Sequence, residues 1–238
     1  MRQFSEQELI RREKAKHLEN IGIDPFGHRY DVTSNSKEIK EKYGEYVTEE
    51  LEKMNVSVKI AGRIMTKRGK GKAGFINIQD KYGQIQVYVK IDNIGEDAYD
   101  IFKKGDIGDI VGIKGVIMRT HMGELTVKAL EYEHLVKALR PLPEKYHGLV
   151  DTEERFRRRY VDLIMNEDAR RVAFTRPKII RSIQHYLDNL GYVEVETPIL
   201  GTILGGAAAK PFITHHNALN IDMYLRIALE LNLKRLLV

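Results

Sequence analysis

The sequence predicts an α+β chain in which charged helices lead into a small closed five-stranded β-barrel, with a second, mixed domain after it. Three observations carry that prediction. At Val56 the hydrophobic spacing changes from helical to alternating, with Val56, Val58, Ile60 and Ile64 set against Ser57, Lys59, Ala61 and Arg63. Four more runs follow before Val136: Gly74 to Gln79, Gln84 to Lys90, Asp109 to Thr120 and Glu124 to His134. Beyond them Leu139-Arg140-Pro141-Leu142-Pro143 blocks both helix and central strand, because proline fixes φ and cannot donate; helical spacing then returns.

In chain order, Ser5-Glu6-Gln7-Glu8 has capping-box spacing and opens a helix from Glu6 to Asn20. Gly22 stops it, and Asp24-Pro25-Phe26-Gly27 forces a turn. A second charged helix is expected over Lys37 to Met54. The five strands follow, with a helix near Ala98 to Lys103 inserted before the fourth. That order suggests a Greek-key barrel of the oligonucleotide-binding (OB) type. After the linker, Ile179, Ile183, Tyr186, Leu187 and Leu190 mark one face of a helix from Arg176 that stops at Gly191, and Tyr192 to Thr197 reads as a strand running into Pro198. The expected segments are thus 1–55 helical, 56–136 barrel, 137–150 linker and 151–238 second domain.

Composition narrows the chemistry. The 238 residues include no cysteine, so disulfides, thiolate nucleophiles and cysteine-based zinc sites are excluded. No window approaches 18 consecutive apolar residues and the N-terminus lacks an apolar signal core, so a cytoplasmic location is expected. Lys+Arg 39 against Asp+Glu 34 leaves a charge of +5, too small to identify a partner, so the placement of charge must decide. His215 and His216 are adjacent, point in different directions and have no carboxylate to complete a metal site; structural roles are expected for both.

Alternation places the barrel's functional face. If Ile76 and Ile78 face the core, Phe75 and Asn77 share the other side; burying Ile85, Val87 and Val89 turns Gln84, Gln86 and Tyr88 outward. An exposed aromatic beside an exposed amide suits an unstacked base, the ring stacking and the amide reading an edge. Lys67, Arg68, Lys70 and Lys72, interleaved with Gly69 and Gly71, place cations where they can meet phosphate. A lone exposed phenylalanine also serves cross-strand packing, and a lysine- and glycine-rich hairpin also serves as a solvated turn. Their combination on a five-stranded barrel favours single-stranded nucleic acid. Glu124 opposes phosphate and makes sense as an acceptor from a base.

The residues then show a resemblance. Ile23-Asp24-Pro25-Phe26-Gly27, Ala61-Gly62-Arg63 with the run from Lys67 to Ala73, Leu139 to Pro143 with Lys145 and His147-Gly148-Leu149, Arg159-Tyr160-Val161-Asp162-Leu163, Glu194 to Pro198 and Pro211 to Leu219 together resemble the class II lysine–tRNA ligases, over essentially the whole chain. The resemblance implies that the part after the barrel begins a class II synthetase antiparallel-sheet catalytic domain. It also implies a ring at Phe75 on which an anticodon uridine stacks, with Gln86 and Glu124 reading the U-rich triplet and Arg68 supporting it. Arg176 to Pro198 matches the signature that builds a homodimer interface. Gly206, through its carbonyl, and Glu230, through its carboxylate, match positions that hold the α-amino group of L-lysine.

The family activates lysine with ATP and magnesium and then transfers it to the lysine tRNA. The arginines of its second and third signatures and the magnesium-binding acids match nothing before Val238, so a catalytically incomplete chain that retains anticodon recognition is expected. Two alternatives stay open: a stand-alone RNA-binding or regulatory module, and an inactive, decayed fragment. For Arg155, Arg157, Arg158 and Arg159 the expectation is salt bridging between domains or protomers rather than RNA contact.

Overall fold

Residues 3–143, 149 and 151–237 are described in a computed structural model of the chain, the side chain of Lys70 excepted. Lys145, His147 and Gly148 lie outside the described residues. Two compact units form, Met1–Val161 and Asp162–Val238.

Helix α1 spans Glu6–Asn20, as its capping box dictates: Ser5 Oγ accepts from the Glu8 amide at 3.3 Å and the Glu8 carboxylate accepts from the Ser5 amide at 2.9 Å. Where one helix is expected over Lys37 to Met54 there are two, α2 (Ser36–Tyr43) and α3 (Thr48–Met54). The reason lies in what must be buried. Ile39 and Leu51 are both fully enclosed, yet on one continuous helix they would stand about 120° apart at about 100° per residue. Breaking at Gly44 lets each short helix turn its own apolar residue into the core.

The barrel consists of β1 (Ser57–Lys70), β2 (Ala73–Gln79), β3 (Gln84–Lys90), β4 (Ile110–Arg119) and β5 (Leu125–Val136), closed in the order β1-β2-β3-β5-β4. All neighbours are antiparallel except β3 and β5. Strand β1 pairs with both β4 and β2 by bending at an irregularity between Ile64 and Thr66, which is how so few strands close. The alternation holds where it was read: Ile76, Ile78, Ile85, Val87 and Val89 are all in the core. Two helices, α4 (Ile91–Ile94) and α5 (Glu96–Lys104), precede β4, and Tyr99 and Phe102 of α5 join the same core.

A buried ionic cluster binds α1 to the barrel. The Lys137 ammonium lies 2.7 and 2.8 Å from the two Asp109 oxygens and 2.7 Å from Asp106, whose other oxygen holds Lys14 of α1 at 2.6 Å. Arg11 adds bonds of 3.0 Å to the Ala138 and Ile107 carbonyls. With the Lys137 side chain 1% and that of Asp109 0% exposed, the pair at the centre of this cluster is sealed from water.

Beyond the linker come α6 (Thr152–Arg157) and α7 (Arg159–Met165), then the second unit's α8 (Glu167–Asn189), β6 (Leu200–Gly201), β7 (Ile213–His216), β8 (Ile221–Leu225) and α9 (Glu230–Lys234). Arg157 pairs with Glu153 at 2.8 Å within α6, and Arg158, just after it, pairs with Glu154 at 3.5 Å. Helix α8 begins well before the expected Arg176. Asn166 caps it by accepting from the Asp168 and Ala169 amides at 3.0 and 3.4 Å, and the helix runs through Pro177 at the loss of one backbone bond. The strand expected over Tyr192 to Thr197 is irregular, with no ladder partner among the described residues; alternation offers a strand, but only a neighbour makes one. The three short strands that do form are ordered β6-β8-β7.

Candidate nucleic-acid interface

Two rows of side chains cross the open face of the barrel. Backbone pairing puts Arg68 opposite Phe75, Phe75 opposite Tyr88 and Tyr88 beside Lys128; one rung away, Thr66, Asn77, Gln86 and Thr126 are aligned in the same way. Because paired residues point to the same side of a sheet, these rows form one surface. The loop between β4 and β5 walls one side. The result is an open cleft of about 730 Å³ lined by Arg68, Gly69, Phe75, Asn77, Gln86, Thr120, Met122 and Glu124. The structure therefore brings Arg68, Phe75, Gln86 and Glu124 together in one place.

The ring of Phe75 is half-buried rather than exposed. It leans on Tyr88 with ring centroids 4.8 Å apart and planes inclined by 39°, a tilted aromatic pair that covers one face and leaves the rest to the cleft. Gln86 sits beside Thr126, whose hydroxyl is 3.0 Å from Gln86 Oε1. Glu124 is held at its backbone: its amide donates to Thr120 Oγ1 at 3.1 Å, and its carbonyl accepts from the Thr120 amide at 3.0 Å. Arg119 fixes this loop to the helical segment, donating to the Gly123 carbonyl at 2.5 Å, to Tyr46 at 2.7 Å and to Gly44. Gly69 stands at φ +138°, and a Cβ there would lie 2.5 Å from Gly74 Cα, so the hairpin bearing Arg68 closes only with glycine at that point.

One of the four hairpin cations does different work. Lys67 turns away from the cleft and donates to the carbonyls of Phe102, Lys103 and Gly105 at 2.5, 2.9 and 2.7 Å, capping the end of α5. Burial pushes its pKa down to about 8, against the pull of Asp106. Lys67 is thus removed from any phosphate contact and instead anchors the hairpin from behind, together with the Tyr99 hydroxyl, which donates to the Gly71 carbonyl at 3.0 Å. Lys67→Met should leave three carbonyls without their donor and lower the stability of the chain by roughly 2 to 4 kcal/mol, read as a shift in the urea midpoint. An unchanged midpoint would show that water replaces the ammonium without cost.

Sequence reasoning passed over Thr126, Met122 and Lys128. Thr126 lies within a run that reads as core, Met122 has no alternation partner, and only the parallel pairing of β3 with β5 brings Lys128 next to Tyr88.

In the second unit Gly206 and Glu230 are neighbours: a Cβ on Gly206, at φ +92°, would lie 3.6 Å from Glu230 Cβ. The Glu230 carboxylate holds the Lys234 ammonium at 2.6 Å. Pro198 lines a separate concavity of about 250 Å³ with Gly205, Tyr224, Arg226 and Leu231, and its carbonyl accepts from Arg226 at 3.3 Å. His215 Nδ1 pairs with Asp222 at 2.8 Å, which raises its pKa above the ordinary histidine value. Among the described residues no three histidine or acidic side chains converge as metal ligands. No described helix is long and apolar enough to cross a membrane.

Two stretches of the chain match known families. Residues 58–135 match the family described as OB-fold nucleic acid binding domain, and residues 151–238 match tRNA synthetases class II (D, K and N). Similar curated proteins include the lysine–tRNA ligases of Bacillus cytotoxicus (57% identical), Lysinibacillus sphaericus (58%) and Streptococcus sanguinis (59%), each over 236 residues and 99% of this chain. The chain spans about half the length of the curated relatives it matches, 47 to 48%.

Proposed function

We propose that the chain is part of a class II lysine–tRNA ligase and that its barrel reads the U-rich anticodon loop of the lysine tRNA; the family matches and the lysine–tRNA ligases to which it is similar support this reading. The observation that carries this reading is the convergence of Phe75, Gln86, Glu124 and Arg68 on one cleft. A ring to stack on, an amide and a carboxylate to read base edges, and a guanidinium for the backbone are what a single-stranded loop requires. The cleft belongs to segment 56–136, which acts as the anticodon-binding domain, and segment 151–238 forms part of the catalytic domain.

The activity of the whole protein is the ATP- and magnesium-dependent attachment of lysine to that tRNA in the cytoplasm. Gly206 and Glu230 hold the substrate α-amino group; in the present structure Glu230 accepts an ammonium from Lys234, the same chemical species. A homodimer forms through α8 and the segment ending at Pro198. In support, Ile179 and Ile183 are each 55% exposed and Tyr186 is 64% exposed on the apolar stripe of α8, a face that favours burial.

The reading is tested with the full chain and a U-rich lysine anticodon stem-loop at two salt concentrations. Replacing the central uridine should weaken binding by roughly 1 to 3 kcal/mol, and higher salt should weaken both loops. Equal binding of the two loops, or none, would overturn it.

A further inference from the structure

The row of side chains that carries Phe75 does not end with the aromatic pair. Across β1, β2, β3 and β5 it reads Arg68, Phe75, Tyr88, Lys128, with a cation at each end of two rings. Lys128 then faces Val116 of β4, which ends the polar part of the row. The neighbours of Lys128 fix its direction. Val127 and Ala129 have no exposed surface, and alternation turns the residue between them outward, to the side on which Tyr88 stands. Arg68 and Lys128 are three strand spacings apart, about 14 Å of sheet, and the rings lie between them.

Other lysines around the barrel are engaged. Lys67 donates to the carbonyls at the end of α5, Lys90 pairs with Asp92 at 2.5 Å and Lys114 pairs with Glu131 at 2.5 Å. The Lys128 ammonium has no hydrogen bond or ion pair among the described residues, and neither has the Tyr88 hydroxyl on the next strand. No residue of the row is acidic. A solvated lysine elsewhere on the surface would be just as unengaged; what sets Lys128 apart is its place. It stands with a second unengaged donor on an acid-free stretch of sheet that continues a cleft for single-stranded nucleic acid, where its charge complements a phosphate.

We propose that the bound RNA strand crosses the barrel along this row, its backbone held by Arg68 on one side of the ring pair and by Lys128, with the Tyr88 hydroxyl, on the other. The inference rests on the anticodon reading above and extends it. It assigns a second phosphate site outside the cleft and a path for the strand across the sheet. A phosphate contact carries no base information, so Lys128 adds affinity for every loop and leaves the uridine preference to the cleft.

The test measures dissociation constants of the full chain for the U-rich stem-loop at several salt concentrations, and for stem-loops in which one loop phosphate at a time is replaced by an uncharged methylphosphonate. Wild type is compared with Lys128→Gln, Lys128→Arg and Arg68→Gln, and Lys16→Gln, an exposed position on α1, controls for net charge. Lys128→Gln should lower the salt slope by about one, which weakens every loop about tenfold at 0.1 M salt and hardly at 1 M. Lys128→Arg should keep the wild-type slope, and Lys16→Gln should not change it. One methylphosphonate should weaken wild type and leave Lys128→Gln no weaker than it already is. That linkage should lie on the opposite side of the stacked uridine from the one that behaves so with Arg68→Gln. An unchanged slope in Lys128→Gln, or a scan in which every linkage costs that variant as much as wild type, overturns the proposal, and so does one linkage shared by both cations. Should Lys128→Gln not fold, the wild-type scan decides: sensitive linkages on both sides of the stacked uridine support the path and a single sensitive linkage overturns it. If replacing the central uridine does not weaken wild type, the anticodon reading has failed and this inference with it; a retained uridine preference with no effect at Lys128 defeats the inference alone.

Discussion

Phe75→Ala should weaken binding of the U-rich stem-loop by about 1 to 3 kcal/mol, between fivefold and more than a hundredfold in dissociation constant. The ring is the flat surface of the cleft, and Tyr88, 4.8 Å behind it, holds it in place. Removing it takes away stacking without removing charge, so the dependence of binding on salt should not change. Arg68→Gln should behave in the opposite way, weakening all loops alike and lowering the salt slope by about one. Because Phe75 also packs across strands, its truncation should cost about 1 kcal/mol of stability, small enough for the barrel to remain folded. Titration of labelled stem-loop at several salt concentrations, beside a urea melt, separates these effects. Undiminished affinity in Phe75→Ala, with a folded barrel, would remove the ring from the recognition surface.

Asp109→Ala should destabilise the first unit by roughly 3 to 5 kcal/mol, since it leaves the Lys137 ammonium without its principal partner in a place that water does not reach. Asp109→Leu combined with Lys137→Met removes both charges and should cost much less than the single change. A double variant as unstable as Asp109→Ala would show that the pair itself, rather than the unpaired charge, dominates.

The same cluster makes stability depend on pH. Burial pushes the Asp106 carboxyl upward, but the bonds from Lys137 and Lys14 outweigh it and hold its pKa below the ordinary value of 3.8. Its contribution is present above that value and lost as the pH falls through the lower folded one. His134 differs in kind. Burial lowers its pKa from 6.5 against the pull of Asp109, and its Nε2 meets no hydrogen-bond partner among the described residues. The unfolded chain therefore takes up a proton near pH 6.5 that the folded chain refuses, and stability declines from about 6.5 downward. His215 acts in the opposite sense because Asp222 raises it, but it belongs to the second unit. Hydrogen exchange at barrel amides reads the first unit alone and should show protection falling first below about pH 6.5 and again below about pH 4. A flat profile from pH 7 to 5 would contradict the role given to His134.

Local signals in the chain were sufficient where the answer depended on neighbours in sequence. The capping box at Ser5 and Glu8 set the start of α1, and alternation placed β3 at Gln84–Lys90 and separated the core isoleucines from the cleft residues. Such features rest on backbone hydrogen bonds a few residues apart or on the two-residue period of a strand, and both are written in order along the chain. Resemblance to a known family then added roles for Arg68, Phe75, Gln86, Glu124, Gly206, Glu230 and Pro198 that no periodicity contains.

The rest depended on what lies across the fold. Lys67 reads as one more cation in a basic hairpin, and only the arrival of the end of α5 turns it into a buried cap. Tyr192 to Thr197 alternates like a strand but has no ladder partner among the described residues, and the helix expected over Lys37 to Met54 breaks because two distant residues must enter one core. Thr126 looks like core until the parallel register of β3 and β5 sets it against Gln86. The sequence by itself determined the helices with caps, the strand faces and the type of barrel. Tertiary structure alone decided which charges are free, which rings are covered and which hydroxyl meets which amide, because burial and hydrogen-bond partnership belong to groups far apart in the chain that closure of the barrel brings within 3 Å.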